Sequence, residues 1–110
     1  MHATVTDHQT DIAVLHLTGE LDADTAETLR DALGDLVSRP APRIVVDLSD
    51  LRFCDSMGLS ALITAYLVAT SAGGWVRLAG ANEFLRKLVE TVGLTRYMDL
   101  YDDVEAALSA

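Results

Sequence analysis

An aspartate and a serine at positions 55 and 56 form the motif with the clearest chemical potential in this chain of 110 residues. Gly58 follows two residues after the serine, and the motif lies between an apolar run and a helical pattern. A serine at a helix start can carry a phosphate, because free backbone N–H groups and the helix dipole favour negative charge there. The same hydroxyl could instead act as a nucleophile, or simply cap the helix.

Most other site chemistries lack the residues they need. Neither Gly-x-x-x-x-Gly-Lys followed by Ser or Thr, nor Gly-x-Gly-x-x-Gly, occurs in the chain. The three histidines are not spaced at i, i+4, and Cys54 is distant from them, so the sequence predicts no metal site. A nucleophile elbow needs glycine at position 54 and a histidine after Ser56, and both are missing. The residues that would support Ser56 as a nucleophile are therefore missing.

Asp47 is a second candidate phosphate acceptor. It ends a predicted central strand, which is where an acceptor aspartate could sit in a receiver domain. A receiver domain also needs an acidic pair after its first strand and a lysine near the end of its fifth strand. The pair is missing here, and Lys87, the only lysine, lies within a predicted helix. A receiver-like acceptor at Asp47 is kept as an alternative.

Strands and helices are predicted to alternate along the chain, which indicates a single α/β domain over residues 1–110. Apolar runs predict strands over 3–7, 12–18, 43–48, 75–79 and 98–101. Helical spacing predicts helices from about residue 25, from the 55–58 motif to Gly73, from Asn82 to Gly93, and from Asp102 or Asp103. An N-terminal hairpin makes the sheet mixed, and right-handed crossovers place the linking helices on one face.

Two segments end strands and open helices. One comprises Leu17 to Asp22 with Asp24, Thr25 and Ala26, and the other comprises residues 45–48 and 53–59. In open α/β sheets, ligands and partners bind at the carboxyl ends of the strands. We therefore predict that these segments share one edge of the sheet, although Asp22 could also cap a turn there. The candidate partner-binding residues are Glu20, Asp22, Asp24, Thr25, Asp55, Met57, Gly58 and Leu59.

The chain is acidic, with a formal net charge of −9. Of its 17 acidic residues, 11 lie in residues 1–55, and six of these fall between Glu20 and Asp35. Such a chain does not bind a nucleic-acid backbone by charge, and anionic membranes are disfavoured for the same reason. The acidic segment predicts a basic protein partner, the alternative being that it only provides solubility.

The compartment is predicted from the cysteine content and from the apolar runs. The chain has one cysteine, Cys54, and its N-terminus lacks the pattern of an export signal. No apolar run approaches the roughly 20 residues of a membrane span. These features predict a cytoplasmic protein that does not insert into membranes.

The residues Leu17 to Asp22, the Asp55-Ser56-Met57-Gly58 motif, Gly73-Gly74 and Gly93-Leu94 together resemble the STAS domain of anti-sigma factor antagonists. The resemblance runs nearly end to end. It implies a mixed sheet of four to five strands with about four helices, no cofactor, and binding rather than catalysis. It also implies that an anti-sigma factor with serine kinase activity phosphorylates Ser56. The unphosphorylated protein would capture that kinase and free the sigma factor for transcription, and a metal-dependent serine phosphatase would reset the switch.

Position 57 departs from the family pattern, which commonly has serine or threonine where this chain has Met57. The acceptor serine itself is retained. We predict that Met57 points away from the helix stripe of Leu59, Leu62, Ile63 and Tyr66 and lies in the partner interface. The alternative within the fold is a STAS module of another assembly, such as a lipid-transport or stressosome-like complex.

Overall fold

Strands and helices alternate through the residues that the computed structural model describes, which are 1–8 and 11–110. The strands are β1 (His2–His8), β2 (Ile12–Leu21), β3 (Arg43–Cys54), β4 (Trp75–Ala79) and β5 (Leu100–Tyr101). The α-helices are α1 (Ala26–Val37), α2 (Ser56–Ser71), α3 (Glu83–Thr91) and α4 (Val104–Ser109), and a short 3-10 helix spans Leu94–Arg96. The predicted α/β fold with a mixed sheet is confirmed.

The five strands lie in chain order across the sheet. β1 is antiparallel to β2, and every later neighbouring pair is parallel. Leu15, Val46 and Leu78 belong to the core that the sheet forms with α1, α2 and α3, whereas Val14 and Val45 pack with Ala107 of α4. The three crossover helices therefore cover one face and α4 covers part of the other, as right-handed connections require.

β2 and β3 are both longer than the sequence predicts. β2 does not end at Gly19, which has a φ of 94°, but continues to Leu21 through irregular pairing with β3. β3 continues past Leu48 to Cys54. The exposed polar residues at 49, 50 and 52 hide this continuation in the sequence, because they interrupt the apolar run. The extra length carries both strands up to the 55–58 motif.

The predicted apolar stripes of α2 and α3 are partly wrong. Ile63 is exposed, because the buried side of α2 consists of Gly58, Leu59, Ala61, Leu62, Ala65 and Ala69. On α3, Leu85 and Val89 are buried, whereas Phe84 and Val92 face solvent. No helix in the described part of the chain is long and apolar enough to cross a bilayer.

The predicted helix boundaries at Asn82, Gly93 and Asp103 are confirmed. The Asn82 side chain accepts a hydrogen bond from the backbone N–H of Leu85 at 2.8 Å, which caps α3. Asp103 caps α4 in the same way. Gly93 adopts a φ of 80°, a left-handed conformation that glycine reaches without strain and that ends α3.

Asp47 is a buried carboxylate in the middle of β3, not at a strand end as predicted. One oxygen lies 2.8 Å from His16 Nδ1, and the other accepts hydrogen bonds from the Ser49 hydroxyl at 2.7 Å and the Ser49 N–H at 3.1 Å. Burial by itself raises the pKa of Asp47, but these hydrogen bonds outweigh it and hold the pKa below its ordinary value of 3.8. With both oxygens engaged, this geometry does not support a receiver-like acceptor.

The end of β2 meets the start of α2 at Gly58, where there is no room for a side chain. A Cβ at this position would lie 2.4 Å from Leu21 Cδ2 and 2.8 Å from Cys54 Sγ. Leu21 and Cys54 are themselves buried, so neither can move aside freely. Gly58 therefore lets the first turn of α2 sit directly on the ends of β2 and β3.

We expect Asp47→Asn to lower the free energy of unfolding by about 1.5–3 kcal/mol at neutral pH, because charge-assisted hydrogen bonds are lost. A carboxylate whose pKa is lowered by folding stabilises the native state above its unfolded pKa. That contribution is lost as the pH falls through the folded pKa, so the difference between wild type and variant should shrink in acid. Urea unfolding over a pH series measures it, with the exposed Asp50→Asn as control. A pH-independent difference would contradict the assignment.

Gly58→Ala is expected to lower the free energy of unfolding by about 1–3 kcal/mol, because it overpacks a closed contact. Gly34→Ala is the matched control, since a Cβ at Gly34 of α1 would meet nothing within 4 Å. That variant should instead gain about 0.5–1 kcal/mol from helix propensity. Denaturant unfolding of both variants gives the comparison, and equal effects would refute the steric argument.

Candidate phosphoacceptor and partner-binding site

The two predicted loop segments meet at one edge of the sheet. Glu20 pairs with Phe53, and Leu21 with Cys54, in the parallel ladder between β2 and β3. The backbone N–H of Asp55 then donates to the carbonyl oxygen of Leu21 at 3.0 Å. The prediction that both segments share an edge is confirmed.

Ser56 is the first residue of α2, and its side chain is exposed at this edge. Asp55 precedes it as the N-cap, and its Oδ1 accepts hydrogen bonds from the N–H groups of Met57 at 3.0 Å and Gly58 at 3.2 Å. The expectation that a phosphate would meet free N–H groups needs correction here, because the Asp55 carboxylate already occupies two of them. A phosphate on Ser56 would therefore stand beside a carboxylate and compete with it for these donors.

Asp22 and Thr25 shape the turn between β2 and α1. Asp22 Oδ1 accepts hydrogen bonds from the N–H groups of Asp24 at 3.0 Å and Thr25 at 3.1 Å. The Thr25 hydroxyl donates to the Glu20 carbonyl oxygen at 3.1 Å and accepts from the Asp22 N–H at 2.9 Å. Asp22 and Thr25 therefore stabilise this turn, and their contact with a partner remains a prediction. The side chains of Glu20 and Asp24 are exposed.

Gly58 and Leu59 are buried, so a direct contact with a partner is not supported for either. Both hold the first turn of α2 against the sheet. Met57, by contrast, is 46% exposed, which confirms that it points away from the core. Its place in a partner interface remains a prediction.

Two exposed aromatic residues at this edge were not among the predicted site residues. Phe53 at the end of β3 is 40% exposed, Phe84 in the first turn of α3 is 51% exposed, and their rings stack with centroids 5.9 Å apart. Phe84 lies at the margin of an apolar helical stripe, which periodicity alone does not separate from the core. Strand alternation turns Phe53 away from the inward-facing Cys54, but this signal can be used only once β3 is known to continue to Cys54.

Cys54 is a buried, unreactive thiol. Burial, with the nearby Asp55 charge adding to it, raises the pKa of Cys54 to about 12, so the thiolate does not form near neutral pH. The side chain therefore packs as a small buried hydrophobe. Within residues 1–8 and 11–110, no group of three or more His, Cys, Asp or Glu side chains is placed to hold a metal ion.

Several known proteins are similar to the chain over most of its length. It is 33% identical over 107 residues to the anti-sigma-F factor antagonist RsfB of Mycobacterium tuberculosis, covering 96% of this chain and 85% of that protein. It is 29% identical over 104 residues to the anti-sigma F factor antagonist of Paenibacillus polymyxa, covering 94% and 89% respectively.

Solved structures show the same fold. An anti-sigma factor antagonist from Mycobacterium paratuberculosis superposes with a TM-score of 0.86 at 30% identity, covering 98% of this chain and 91% of that one. A putative anti-sigma factor antagonist from Thermotoga maritima superposes with a TM-score of 0.90 at 22% identity, covering 97% and 92%. The family model described as "Mlab, STAS domain" matches residues 4–106. With this match over nearly its whole length, the chain belongs to the STAS domain family.

Proposed function

We propose that this chain is an anti-sigma factor antagonist that regulates sigma-factor-dependent transcription in the cytoplasm by binding rather than catalysis. Its partner is an anti-sigma factor with serine kinase activity, which it binds while Ser56 is unmodified. The observation that carries the proposal is the exposed Ser56 at the start of α2, on an acidic edge. In support, the relatives named anti-sigma factor antagonists align with this chain along most of their length.

Phosphorylation of Ser56 would act through charge. A phosphate adds about 1.5–2 negative charges at neutral pH. Asp55 adjoins Ser56 and already accepts hydrogen bonds from two of the nearest N–H groups. The phosphate would therefore lie beside a carboxylate and not beside free hydrogen-bond donors. If the kinase surface covers Ser56, this charge must be desolvated without compensation, which costs several kcal/mol. A loss of about 4 kcal/mol weakens binding about a thousandfold.

The switch needs no change of fold, because the Ser56 side chain already faces solvent. The same exposure leaves a phosphoserine open to a metal-dependent serine phosphatase, which would restore the binding form. Kinase, antagonist and phosphatase would then form a partner-switching cycle around one hydroxyl group.

The second candidate is a STAS module of another assembly. The description of the matching family model, which names Mlab, favours it. Such a module would bind its assembly whether or not Ser56 carries a phosphate. Binding that ignores both phosphorylation and Ser56→Asp would therefore select this candidate.

The Ser56 variants test the switch. Ser56→Ala should abolish phosphorylation and leave affinity for the unmodified partner within about threefold, because it adds no charge and most interface side chains contribute little when truncated to alanine. Ser56→Asp should weaken binding at least tenfold by adding an uncompensated charge. Ser60→Asp, one turn further along the exposed side of α2, is the control and should weaken binding much less. Phosphorylation is mapped by mass spectrometry, and affinity is titrated with the serine-kinase anti-sigma factors encoded in the same genome. A phosphate on another residue contradicts the proposal.

The acidic edge should steer a basic partner. In the double variant Glu20→Gln/Asp24→Asn, we expect a several-fold slower association at low salt and no change in stability, because both side chains are exposed. The double variant Asp31→Asn/Asp35→Asn on α1 removes the same charge away from this edge and serves as control. Stopped-flow association at rising salt gives the readout, since screening should erase the difference. Equal on-rates for the two doubles at low salt would count against steering.

A further inference from the structure

We propose that the stacked rings of Phe53 and Phe84 are the apolar anchor of the partner interface, and that the partner presents an apolar pocket with basic side chains on the side that faces Glu20. This inference rests on the proposed function and specifies the surface chemistry of the partner. It concerns residues of this chain beyond the phosphoacceptor motif.

The stack is built before any partner arrives. Its rings lie 5.9 Å apart between centroids, with planes inclined by 19°, and both are about half exposed. The Asn82 amide donates to the Leu51 carbonyl oxygen at 3.3 Å, which ties the start of α3 to β3. The same side chain caps α3. Aromatic side chains held in this way lose little conformational freedom on binding, so the surface is preorganised.

The anchor adjoins the phosphoacceptor. Phe53 precedes Ser56 by three residues and pairs across the ladder with Glu20. Met57, exposed one residue after Ser56, adds a flexible apolar side chain to the same edge. A protein that covers the serine in order to phosphorylate it therefore lies within reach of Phe53, and through the stack of Phe84.

Charge around the stack defines the partner. Glu20 lies beside Phe53 in the sheet, and Glu83 precedes Phe84 in α3. Asp24 and Asp55 follow β2 and β3 and add negative charge on the β2 side, whereas the exposed Arg52 and Lys87, close in sequence to the two phenylalanines, are positive. The negative charge beside the stack is therefore concentrated on its β2 side. An aromatic centre with a charged margin has the anatomy of a protein-binding hot spot, and the acidic β2 side is complementary to lysine and arginine.

Leu67 is an exposed apolar residue without charged neighbours along its own helix. Leu67 of α2 is 55% exposed, more than either phenylalanine, yet residues 56–76 contain no charged side chain. Nothing along that stretch selects a basic partner. Leu67 is therefore the matched control for apolar exposure without a charged margin.

The test titrates each purified serine-kinase anti-sigma factor encoded in the same genome with wild type and variants. We expect Phe84→Ala and Phe53→Ala to weaken binding at least tenfold. Phe84→Tyr should stay within threefold, because the ring is kept, and Leu67→Ala within twofold. Phe84→Lys should weaken binding more than Phe84→Gln, since the introduced positive charge would meet the basic side chains of the partner.

Hydrogen exchange on the wild-type protein gives a second measurement, which does not depend on whether a variant folds. Amides of residues 51–54 and 83–85 should gain protection when the kinase binds. If wild type binds none of the kinases, the proposed function fails and this inference fails with it. If wild type binds but the phenylalanine variants bind equally well, or residues 83–85 gain no protection, the anchor is overturned while the proposed function stands.

Discussion

The parallel pairing of β2 with β3 brings Leu21 and Cys54 side by side, and the whole candidate site depends on this contact. The hydrogen bond from the Asp55 N–H to the Leu21 carbonyl oxygen fixes where β3 ends. Asp55 can then cap α2, and Ser56 becomes its first residue. The acidic turn after β2 is placed beside that serine by the same pairing.

Asp55 has two physical roles that act together. As the N-cap it satisfies the N–H groups of Met57 and Gly58, which stabilises the first turn of α2. As a fixed negative charge next to Ser56, the Asp55 carboxylate repels a second anion at this position. The N-terminus of a helix usually stabilises a bound phosphate. In this chain the Asp55 carboxylate already accepts hydrogen bonds from two of these N–H groups. A phosphate on Ser56 would therefore act mainly through charge repulsion and desolvation.

Much of the fold could be predicted because local chemistry and tertiary structure agree. Asn82, Gly93 and Asp103 mark helix ends by mechanisms that act within a few residues. The continuation of β3 to Cys54 could not be predicted, because it depends on pairing with β2 and not on its own polar residues. Ile63 and Phe84 are exposed for a similar reason, since periodicity defines a stripe but the packing distance decides which of its edges is covered.

The candidate site divides along the same line. The acceptor motif is contiguous and could be recognised, as could the acidic segment. Whether a carboxylate is free to meet a partner or already engaged in a turn depends on backbone geometry, which separates Asp22 from Asp24. The close contact of Gly58 with Leu21 and Cys54 has an evolutionary consequence as well. These three residues fill one closed volume. Among related chains, a larger residue at position 58 should therefore occur only together with a smaller residue at position 21 or 54. Amino-acid substitution at each position is constrained by the side chains at the other two.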